Sequence, residues 1–535
     1  MTLAVPLGQD RSADPAAERD ETRRRATAWW PLALVGVGGL ALAVGLAIVD
    51  ALPAGVVADD AFYVILARAL ASGEGYRYLN VPGHPAGTHF PPGYPALLAL
   101  VSFAAPAFPA SVVAFKALNA AFLAAASVLV ARLLRARVGM GAAWCIGVGA
   151  VTAVSVPLLI LGNLVLSELC FIALALALLV ALERLADAPA PARRVVLLGA
   201  AIGLCALVRT HGVVLVPAAV IVLGARHRWR DAVLLTAAAV ACLLPWQLWT
   251  ARHGGTLPSP LLGMYDSYAA WWLRGLRTIG LSMLPQTIAK TTAETSGMLA
   301  VLFSPLRGGA AHAVTLAALG SLTIAACIAT WRRMPVTLLF LAGYLAIVIV
   351  WPFQTARFVW TVWPLLLALV AVGGWTALGR PGWRTPVRAA LAAAFVWVAI
   401  GYAAYETRGI RGRWWSSIPR ANTPRIAMAV RWVAANTAPD EVVATENEGA
   451  VYLYTGRQAV PIITLTPAQY LRDYTPREHA MEGLLPVLDA YPVRTVVAGA
   501  GKAFDAAQFL ASRSPARLAV RERIDGGAVF TVTPR

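Results

Sequence analysis

The stretch Asp59-Asp60-Ala61-Phe62-Tyr63 places two adjacent carboxylates just after the first long apolar segment, residues 29–50. A charged side chain at the edge of a bilayer costs free energy unless it is hydrated or paired, so an acid pair there is a candidate functional site. The alternative interpretation is that the pair only ends a helix at the water interface. The choice between them depends on the surrounding chain, which is mostly apolar.

The composition is that of a membrane protein. Of 535 residues, 59% are hydrophobic and 13% are charged, whereas a typical soluble domain carries about 25% charged residues; mean hydropathy is +0.66. The net charge of +18 comes from basic residues that flank apolar segments, so we expect no nucleic-acid partner. The five cysteines lie within apolar segments without a CxxC pair, which favours small core residues over disulfides or metal ligands.

Eleven apolar runs are candidates for crossing a bilayer. They lie at residues 29–50, 111–134, 141–161, 166–184, 195–208, 211–225, 231–250, 311–331, 335–353, 357–378 and 386–405. Only Arg209-Thr210-His211 separates the fifth from the sixth, which predicts two short helices with their turn at the outer surface. The sequence therefore predicts a polytopic α-helical membrane protein.

Arginines set the orientation, because loops rich in Lys and Arg stay in the cytoplasm. With eleven spans, every arginine-rich loop falls on one side, which predicts a cytoplasmic N-terminus and an extracytoplasmic C-terminus in the cytoplasmic (inner) membrane. These arginines are Arg23–Arg25, Arg132, Arg135, Arg137, Arg193, Arg194, Arg226, Arg228, Arg230, Arg332, Arg333, Arg380, Arg384 and Arg388.

The predicted organisation has three parts: a cytoplasmic tail at 1–28, a membrane domain at 29–405 and an extracytoplasmic α/β domain at 406–535. Within the membrane domain, residues 51–110 and 251–310 form two external loops. Apolar residues at helical spacing predict an interfacial amphipathic helix in each loop, after Asp60 and around Trp271.

In the outer domain, Thr423-Pro424 predicts a helix start, because Pro is favoured at the first helical position. Val442–Thr445 and Val493–Val497 predict strands, and Met481–Leu488 predicts a helix. The domain is therefore expected to be a small α/β unit.

Several polar side chains fall at the predicted outer ends of the spans. Arginines bind phosphate bidentately, and a carboxylate can take the proton of a hydroxyl acceptor, so together they suit a phosphate-bearing lipid substrate. The alternatives are that Glu168 and Arg209 form a structural ion pair and that Arg357 only reaches the interface. A divalent metal at His84 and His89 is possible, but no residue is assigned to one.

The motifs around these residues resemble the GT-C-fold glycosyltransferases, a group that includes the bacterial aminoarabinose transferases and the protein O-mannosyltransferases. The resemblance covers nearly the whole chain in layout. It rests on the acid pair followed by Ala-Phe-Tyr, and on Ser72-Gly73-Glu74-Gly75-Tyr76, His89-Phe90-Pro91-Pro92-Gly93-Tyr94-Pro95, Ser167-Glu168, Leu207-Val208-Arg209-Thr210-His211-Gly212, Ala356-Arg357-Phe358 and Tyr452-Leu453-Tyr454-Thr455-Gly456-Arg457.

This resemblance implies transfer of a sugar from a polyprenyl-phosphate donor to a glycan, lipid or protein acceptor on the outer face of the membrane, with inversion. It assigns the catalytic carboxylate to Asp59, with Asp60 beside it. The substrate-binding residues that we expect are Glu168, Arg209, His211, Arg357, His89 and Tyr94. Relatives commonly have Arg-Pro where this chain has Arg209-Thr210, which affects the assignment of His211.

The competing hypothesis is a polytopic transporter or lipid flippase without transferase activity. Against it, the spans show no internal two-fold repeat, and the polar groups gather at the outer face rather than at the bilayer midplane.

Overall fold

The computed structural model describes residues 29–105, 107–254, 257–353, 355–379 and 384–534. The predicted tail at 1–28 and Arg380 lie outside the described residues. Up to the last helix of the membrane portion, the helices are α1 Trp30–Ala47, α2 Asp59–Ala71, α3 Gly93–Ser102, α4 Ser111–Arg137, α5 Ala142–Val154, α6 Val156–Gly162, α7 Glu168–Asp187, α8 Ala192–Val208, α9 Leu215–Ala225, α10 Trp229–His253, α11 Tyr268–Ile279, α12 Met283–Phe303, α13 Gly309–Thr330, α14 Pro335–Ile349, α15 Thr355–Trp360, α16 Trp363–Gly379 and α17 Thr385–Arg411.

Six of the described helices are long and apolar enough to cross a membrane, namely α1, α4, α7, α10, α13 and α17. The pair α5 and α6, bent by 48° at Ser155, makes a seventh if it is counted as one span. A multi-pass membrane protein agrees with these helices, and the count of eleven spans stays a prediction.

Prolines explain where the helices depart from the predicted spans. The run at 335–353 forms a helix only to Ile349, because Pro352 disfavours helical geometry at the residue before it. The run at 357–378 is divided between α15 and α16, and Pro364 starts the second of these. The last span continues to Arg411, past the predicted boundary at residue 405.

The helix predicted after the acid pair is confirmed as α2, but its surroundings differ from the expectation. Nine of its 13 residues are buried, so it lies inside the protein rather than along a surface. Gly449 of the outer domain approaches it so closely that an added Cβ would lie 2.7 Å from Ala61. The second predicted loop helix is confirmed as α11.

The C-terminal residues form a five-stranded mixed sheet with helices α18 Ser417–Asn436, α19 Glu448–Thr455, α20 Pro467–Leu471, α21 Pro476–Glu478, α22 Leu485–Ala490 and α23 Lys502–Arg513. The strands β1 Val442–Thr445, β2 Ala459–Pro461, β3 Val493–Gly499, β4 Leu518–Ile524 and β5 Gly527–Val532 follow the order β2-β1-β3-β5-β4. Strand β1 is parallel to β2 and β3, and β5 is antiparallel to β3 and β4.

Both predicted strands are confirmed, whereas the predicted helix start is wrong. Helix α18 begins at Ser417 and runs through Pro424, because an internal proline removes only one backbone hydrogen bond while the buried side chains of Ile426 and Val433 keep the helix packed. The helix predicted at Met481–Leu488 is present as a π-helical turn, His479–Leu484, that continues into α22.

The two loops and the sheet pack into one unit. Asn80 of the first loop accepts from the Ala459 backbone N–H at 2.7 Å and donates to the Tyr265 hydroxyl of the second loop at 3.0 Å. At Gly263 an added Cβ would lie 1.8 Å from the Thr464 carbonyl oxygen, so the backbones of the second loop and the sheet domain touch.

Helix α7 separates two groups of charges. Glu168 starts it and Asp187 ends it, a distance of about 28 Å at 1.5 Å per residue, close to the ~30 Å hydrocarbon core of a bilayer. At the Asp187 end, Arg137 from α4 donates to the carboxylate at 3.1 Å and Arg226 lies 3.6 Å from it. The end of α4 at Arg137 and the end of α9 beside Arg226 therefore lie next to the end of α7 at Asp187.

Candidate active site

The two adjacent carboxylates have opposite surroundings, because successive residues on a helix point about 100° apart. Asp60 is 1% exposed and accepts from the backbone N–H groups of Val56, Val57 and Ala61 at 3.1, 3.2 and 2.9 Å. Burial raises the pKa of Asp60 to about 6 even though these donors lower it. Asp60 therefore holds the turn that precedes α2.

Asp59 faces the interior of the site and pairs with arginine. Its Oδ2 atom lies 2.6 Å from Nη1 of Arg357, which is carried by the short helix α15. The Asp59 side chain is 31% exposed, so it remains open to a ligand. Of the acid pair, Asp59 alone lines the cavities described below.

Glu168 joins two arginines at the start of α7, where the helix dipole favours an anion. Its Oε1 atom is 2.9 Å from Nη1 of Arg209 and also accepts from Nε of Arg357. Glu168 is fully buried, and its Oε2 atom has no hydrogen-bond partner among the described residues. The order Asp59–Arg357–Glu168–Arg209 thus forms a continuous chain of two carboxylates and two guanidinium groups.

Neighbouring hydroxyls extend this chain. Arg209 donates to Ser167 Oγ at 3.1 Å, and the same oxygen lies 3.0 Å from the Tyr63 hydroxyl. The Arg209 guanidinium also lies 5.5 Å from the ring centre of Phe358, within cation–π range. These contacts hold Arg209 with its Nε atom buried, and no described residue accepts from that atom.

A cavity of about 240 Å³ opens above Asp59. Its walls are largely aromatic, and side chains from both external loops, from the segment before α15 and from the outer domain contribute to it. The lining residues are Val57, Ala58, Asp59, Phe62, His89, Phe90, Gly263, Met264, Tyr268, Trp351, Phe353, Arg357, Phe358, Leu465 and Tyr470.

A smaller cavity of about 30 Å³ lies beside the first. Asp59, Arg357 and Tyr268 line both cavities, whereas Arg209 and His211 line only the smaller one. The cationic end of the site is therefore narrow, and the end at Asp59 is wider and aromatic.

The two histidines predicted to bind substrate both reach these cavities. His89 Nδ1 lies 2.6 Å from the Asp266 carbonyl oxygen, and since a carbonyl only accepts, this nitrogen carries the proton. Burial lowers the pKa of His89, which favours the neutral ring. His211 is buried against Tyr344, with its Nε2 atom unpaired.

Like Glu168, the predicted site residues Tyr94 and Asp60 line neither cavity. Tyr94 is fully buried behind Tyr63, with ring centres 5.1 Å apart, so one aromatic side chain separates it from Ser167 and Arg209. Both residues support the side chains that face the site.

The sequence interpretation assigned no site residue to the outer domain. Leu465 and Tyr470 line the larger cavity, and their backbone carbonyls accept from Trp271 Nε1 and Lys290 Nζ, both at 3.1 Å. Leu465 adopts a left-handed backbone conformation with φ of 50°. No local signal in the sequence marks this segment, because its role depends on docking between distant parts of the chain.

The pair His84 and His89 does not form a metal site. His84 lies 3.5 Å from Glu74 and 3.2 Å from Gln458, whereas His89 bonds to Asp266. Within the described ranges, no group of three or more His, Cys, Asp or Glu side chains could hold a metal ion.

Comparison with known proteins identifies the fold. No family model matches the chain, and no curated protein matches it in sequence. The crystal structure of ArnT from Cupriavidus metallidurans bound to undecaprenyl phosphate aligns with a TM-score of 0.53 at 12% identity, covering 95% of this chain and 99% of ArnT. The chain has the GT-C fold.

A second GT-C structure aligns less completely. The archaeal oligosaccharyltransferase AglB from Archaeoglobus fulgidus, in complex with an inhibitory peptide and a dolichol-phosphate, gives a TM-score of 0.50 at 12% identity and covers 88% of this chain and 69% of AglB. The fold predicted from the motifs is thereby confirmed, while the low identity leaves the chemistry to be argued from this chain's own residues.

Proposed function

We propose that this protein is a membrane glycosyltransferase that transfers a sugar from a polyprenyl-phosphate donor to an acceptor hydroxyl or amide. The observation that carries the proposal is the chain Asp59–Arg357–Glu168–Arg209, whose Asp59 and Arg357 line an aromatic cavity in a GT-C fold. The neighbouring structures were solved with undecaprenyl phosphate and a dolichol-phosphate, and two arginines with a narrow cavity suit such a lipid phosphate.

In this proposal each cavity binds a different part of the polyprenyl-phosphate sugar. The phosphate occupies the smaller one, where Arg209 and Arg357 compensate its charge, and the sugar lies in the larger one against Tyr268 and Trp351. Flat aromatic walls suit the apolar face of a sugar ring, while Asp59 and His89 provide polar contacts at its edge.

Asp59 serves as the general base. Its carboxylate is paired with the Arg357 guanidinium. An incoming phosphate competes for the same guanidinium and thereby frees the lone pairs of Asp59 to accept a proton. The base therefore becomes available when the donor is bound.

The reaction then proceeds as an inverting displacement. The acceptor's proton moves to Asp59 as its oxygen or nitrogen forms a bond to the anomeric carbon. The bond from that carbon to the phosphate oxygen breaks, and the electron pair leaves with the polyprenyl phosphate. Arg209 and Arg357 stabilise the negative charge that develops there.

The site faces the extracytoplasmic side in this proposal. It lies at one end of α7, about 28 Å from the arginines at the other end, and the positive-inside rule assigns those arginines to the cytoplasm. Each buried CH₂ of a prenyl chain contributes about 0.8 kcal/mol of anchoring, so the sugar must be used at the membrane surface. The cytoplasmic (inner) membrane is the corresponding location.

The sheet domain completes the site. We assign residues 29–405 to the transferase domain and 406–535 to an extracytoplasmic domain whose Leu465 and Tyr470 line the cavity together with Asp59. The choice of acceptor among glycan, lipid and protein then depends on the part of the cavity lined by Leu465 and Tyr470.

A sugar-transfer assay in proteoliposomes tests the proposal. Purified protein is supplied with polyprenyl-phosphate sugars and membrane extract, and transfer is followed with a radiolabelled sugar. Wild type should transfer label and release polyprenyl phosphate, while Asp59→Asn should not. Movement of a fluorescent lipid between leaflets without any transfer would instead favour a flippase.

A further inference from the structure

A groove in the membrane portion shares no lining residue with the cavities at Asp59. It has a volume of about 660 Å³ and lies between α5, α16 and α17. Apart from Tyr402, Glu406 and Thr407, the side chains that line it are hydrocarbon or aromatic, including Phe395 and Val398. Such a surface excludes sugars and phosphates and accepts a hydrocarbon chain.

The length of the groove matches one leaflet. Its lining residues on α5 run from Ala143 to Val154, which is about 17 Å along the helix axis and slightly more than half of the ~30 Å hydrocarbon core. A single acyl chain from one leaflet therefore fills it.

A buried carboxyl group closes one end of the groove. Glu406 is 8% exposed, and its Oε2 atom accepts from the Val156 backbone N–H at 2.7 Å, where the break between α5 and α6 leaves that donor without a helical partner. The Tyr402 hydroxyl lies beside this carboxyl group and can donate to it, while it also contacts Ser155 Oγ at 2.8 Å and accepts from Trp363 Nε1 at 3.0 Å.

The missing counter-charge of Glu406 specifies the head group. In the part of the chain that the structure describes, only neutral donors, the Val156 N–H and the Tyr402 hydroxyl, face this buried carboxyl group, and a buried carboxylate without a cation is costly. None of the ion pairs found among the described residues involves Glu406. An ammonium group supplies three donors and a complementary charge. Exposed Arg408 and Arg411 follow within the last turns of α17 and complement a phosphate.

We propose that this groove is a binding site for a zwitterionic aminophospholipid, with one acyl chain along α5 and its ammonium group donating to Glu406. The site is separate from the transferase proposal, because it rests on the groove and on Glu406 alone.

Three variants test the site. Gly147→Phe fills the groove, since nothing lies within 4 Å of a Cβ added there. Gly320→Phe is the matched control, a helical glycine with equally open space that does not line the groove. Glu406→Gln keeps an oxygen for the Val156 N–H but removes the carboxylate.

The measurement is native mass spectrometry of the full-length protein after exposure to phosphatidylethanolamine and phosphatidylglycerol with identical acyl chains. Wild type and Gly320→Phe should retain phosphatidylethanolamine about tenfold better than phosphatidylglycerol, as expected for a charge-assisted hydrogen bond. Glu406→Gln should lose this preference, and Gly147→Phe should lose the bound lipid.

Equal retention of the two lipids by wild type, retention of a polyprenyl phosphate in their place, or unchanged binding by Gly147→Phe would each overturn the proposal. Because Gly147→Phe leaves the contact between Glu406 and Val156 intact, the test stands even if Glu406→Gln fails to fold.

Discussion

The two ends of α7 use the same chemistry for different purposes. At one end, Glu168 is shared by Arg209 and Arg357, and Arg357 continues to Asp59 in an open cavity. At the other end, fully buried Glu183 accepts from the Thr337 backbone N–H at 2.7 Å, and Arg137 lies 3.6 Å away. Both ends are arginine–carboxylate clusters at a membrane boundary.

The partners of each arginine account for the difference. The other N–H groups of Arg137 donate to the Asp187 carboxylate and, at 2.7 Å, to the Arg333 carbonyl oxygen. Arg137 therefore links the end of α4 to the end of α7 and to the residues that follow α13. Arg357 and Arg209 instead line cavities, and each can take a new anionic partner. An ion pair thus indicates a functional site only when it borders space for a ligand.

Removing the proposed base should have the largest effect. Asp59→Asn should lower the turnover of sugar transfer by about 10²–10⁴-fold, the range for loss of general-base catalysis, because the amide cannot take the acceptor's proton. Initial rates in proteoliposomes at saturating donor measure this change.

Asp60→Asn is the matched control for that variant. An asparagine side chain offers one oxygen in place of the two that accept from Val56, Val57 and Ala61, so the protein should melt at a lower temperature while each folded molecule keeps most of its turnover. Near-normal transfer by Asp59→Asn would contradict the assignment.

Arginine-to-lysine substitutions at the two ends of α7 test the comparison directly. Arg357→Lys should lower kcat/KM for the donor by about 10–100-fold, the equivalent of one lost charge-assisted hydrogen bond, because lysine lacks the fork that reaches both Glu168 and Asp59. Arg137→Lys should leave kcat/KM unchanged and only lower the melting temperature.

If Arg209→Gln abolishes expression and the double variant Glu168→Gln, Arg209→Gln restores it without activity loss, the cluster at Glu168 would be structural like the cluster at Glu183. Donor-dependent kinetics of well-folded single variants distinguish these outcomes.

The sheet-domain residues that line the larger cavity, Leu465 and Tyr470, should affect which acceptor is used rather than the rate of sugar transfer. Leu465→Gly removes a side chain that lines the cavity and suits the left-handed backbone at that position. We expect a several-fold gain in transfer to bulkier acceptors, from the added space, with no loss of stability. Competition between acceptors of different size measures the change.

His227→Gly is the corresponding control near the Asp187 end of α7. His227 has φ of 56° and an exposed side chain far from either cavity lining. It should leave the acceptor ratio unchanged. An equal shift in both variants would mean that backbone relief, not the cavity, alters selectivity.

The sequence predicted the fold and the charged half of the site. Hydropathy located the apolar helices, and the acid pair with Arg209 and Arg357 matched a known layout, so these residues were identified before the structure. The resemblance favoured Asp59 over Asp60, but the sequence did not reveal that Asp60 is buried and bonded to the preceding loop. Leu465 and Tyr470 depend on contacts between the sheet domain and Trp271 or Lys290, which no local pattern encodes.

A buried carboxyl group in the C-terminal sheet domain extends the comparison, because none of the ion pairs found among the described residues gives it an arginine partner. Glu448 of the outer domain is 2% exposed and accepts from the Tyr265 hydroxyl at 3.1 Å, while Glu446 lies nearby. Burial raises its pKa from 4.5 to about 8, so a proton neutralises this group where arginines neutralise Glu168.

The sign of the pH dependence follows from that shift. Between 4.5 and about 8 the unfolded chain has released the proton that the folded protein still holds, so stability falls as pH rises. Glu448→Gln keeps a neutral acceptor for Tyr265 and should flatten this slope, which thermal unfolding across that pH range measures. A slope identical to that of wild type would mean that Glu448 is ionised, with a counter-charge like that of Glu168.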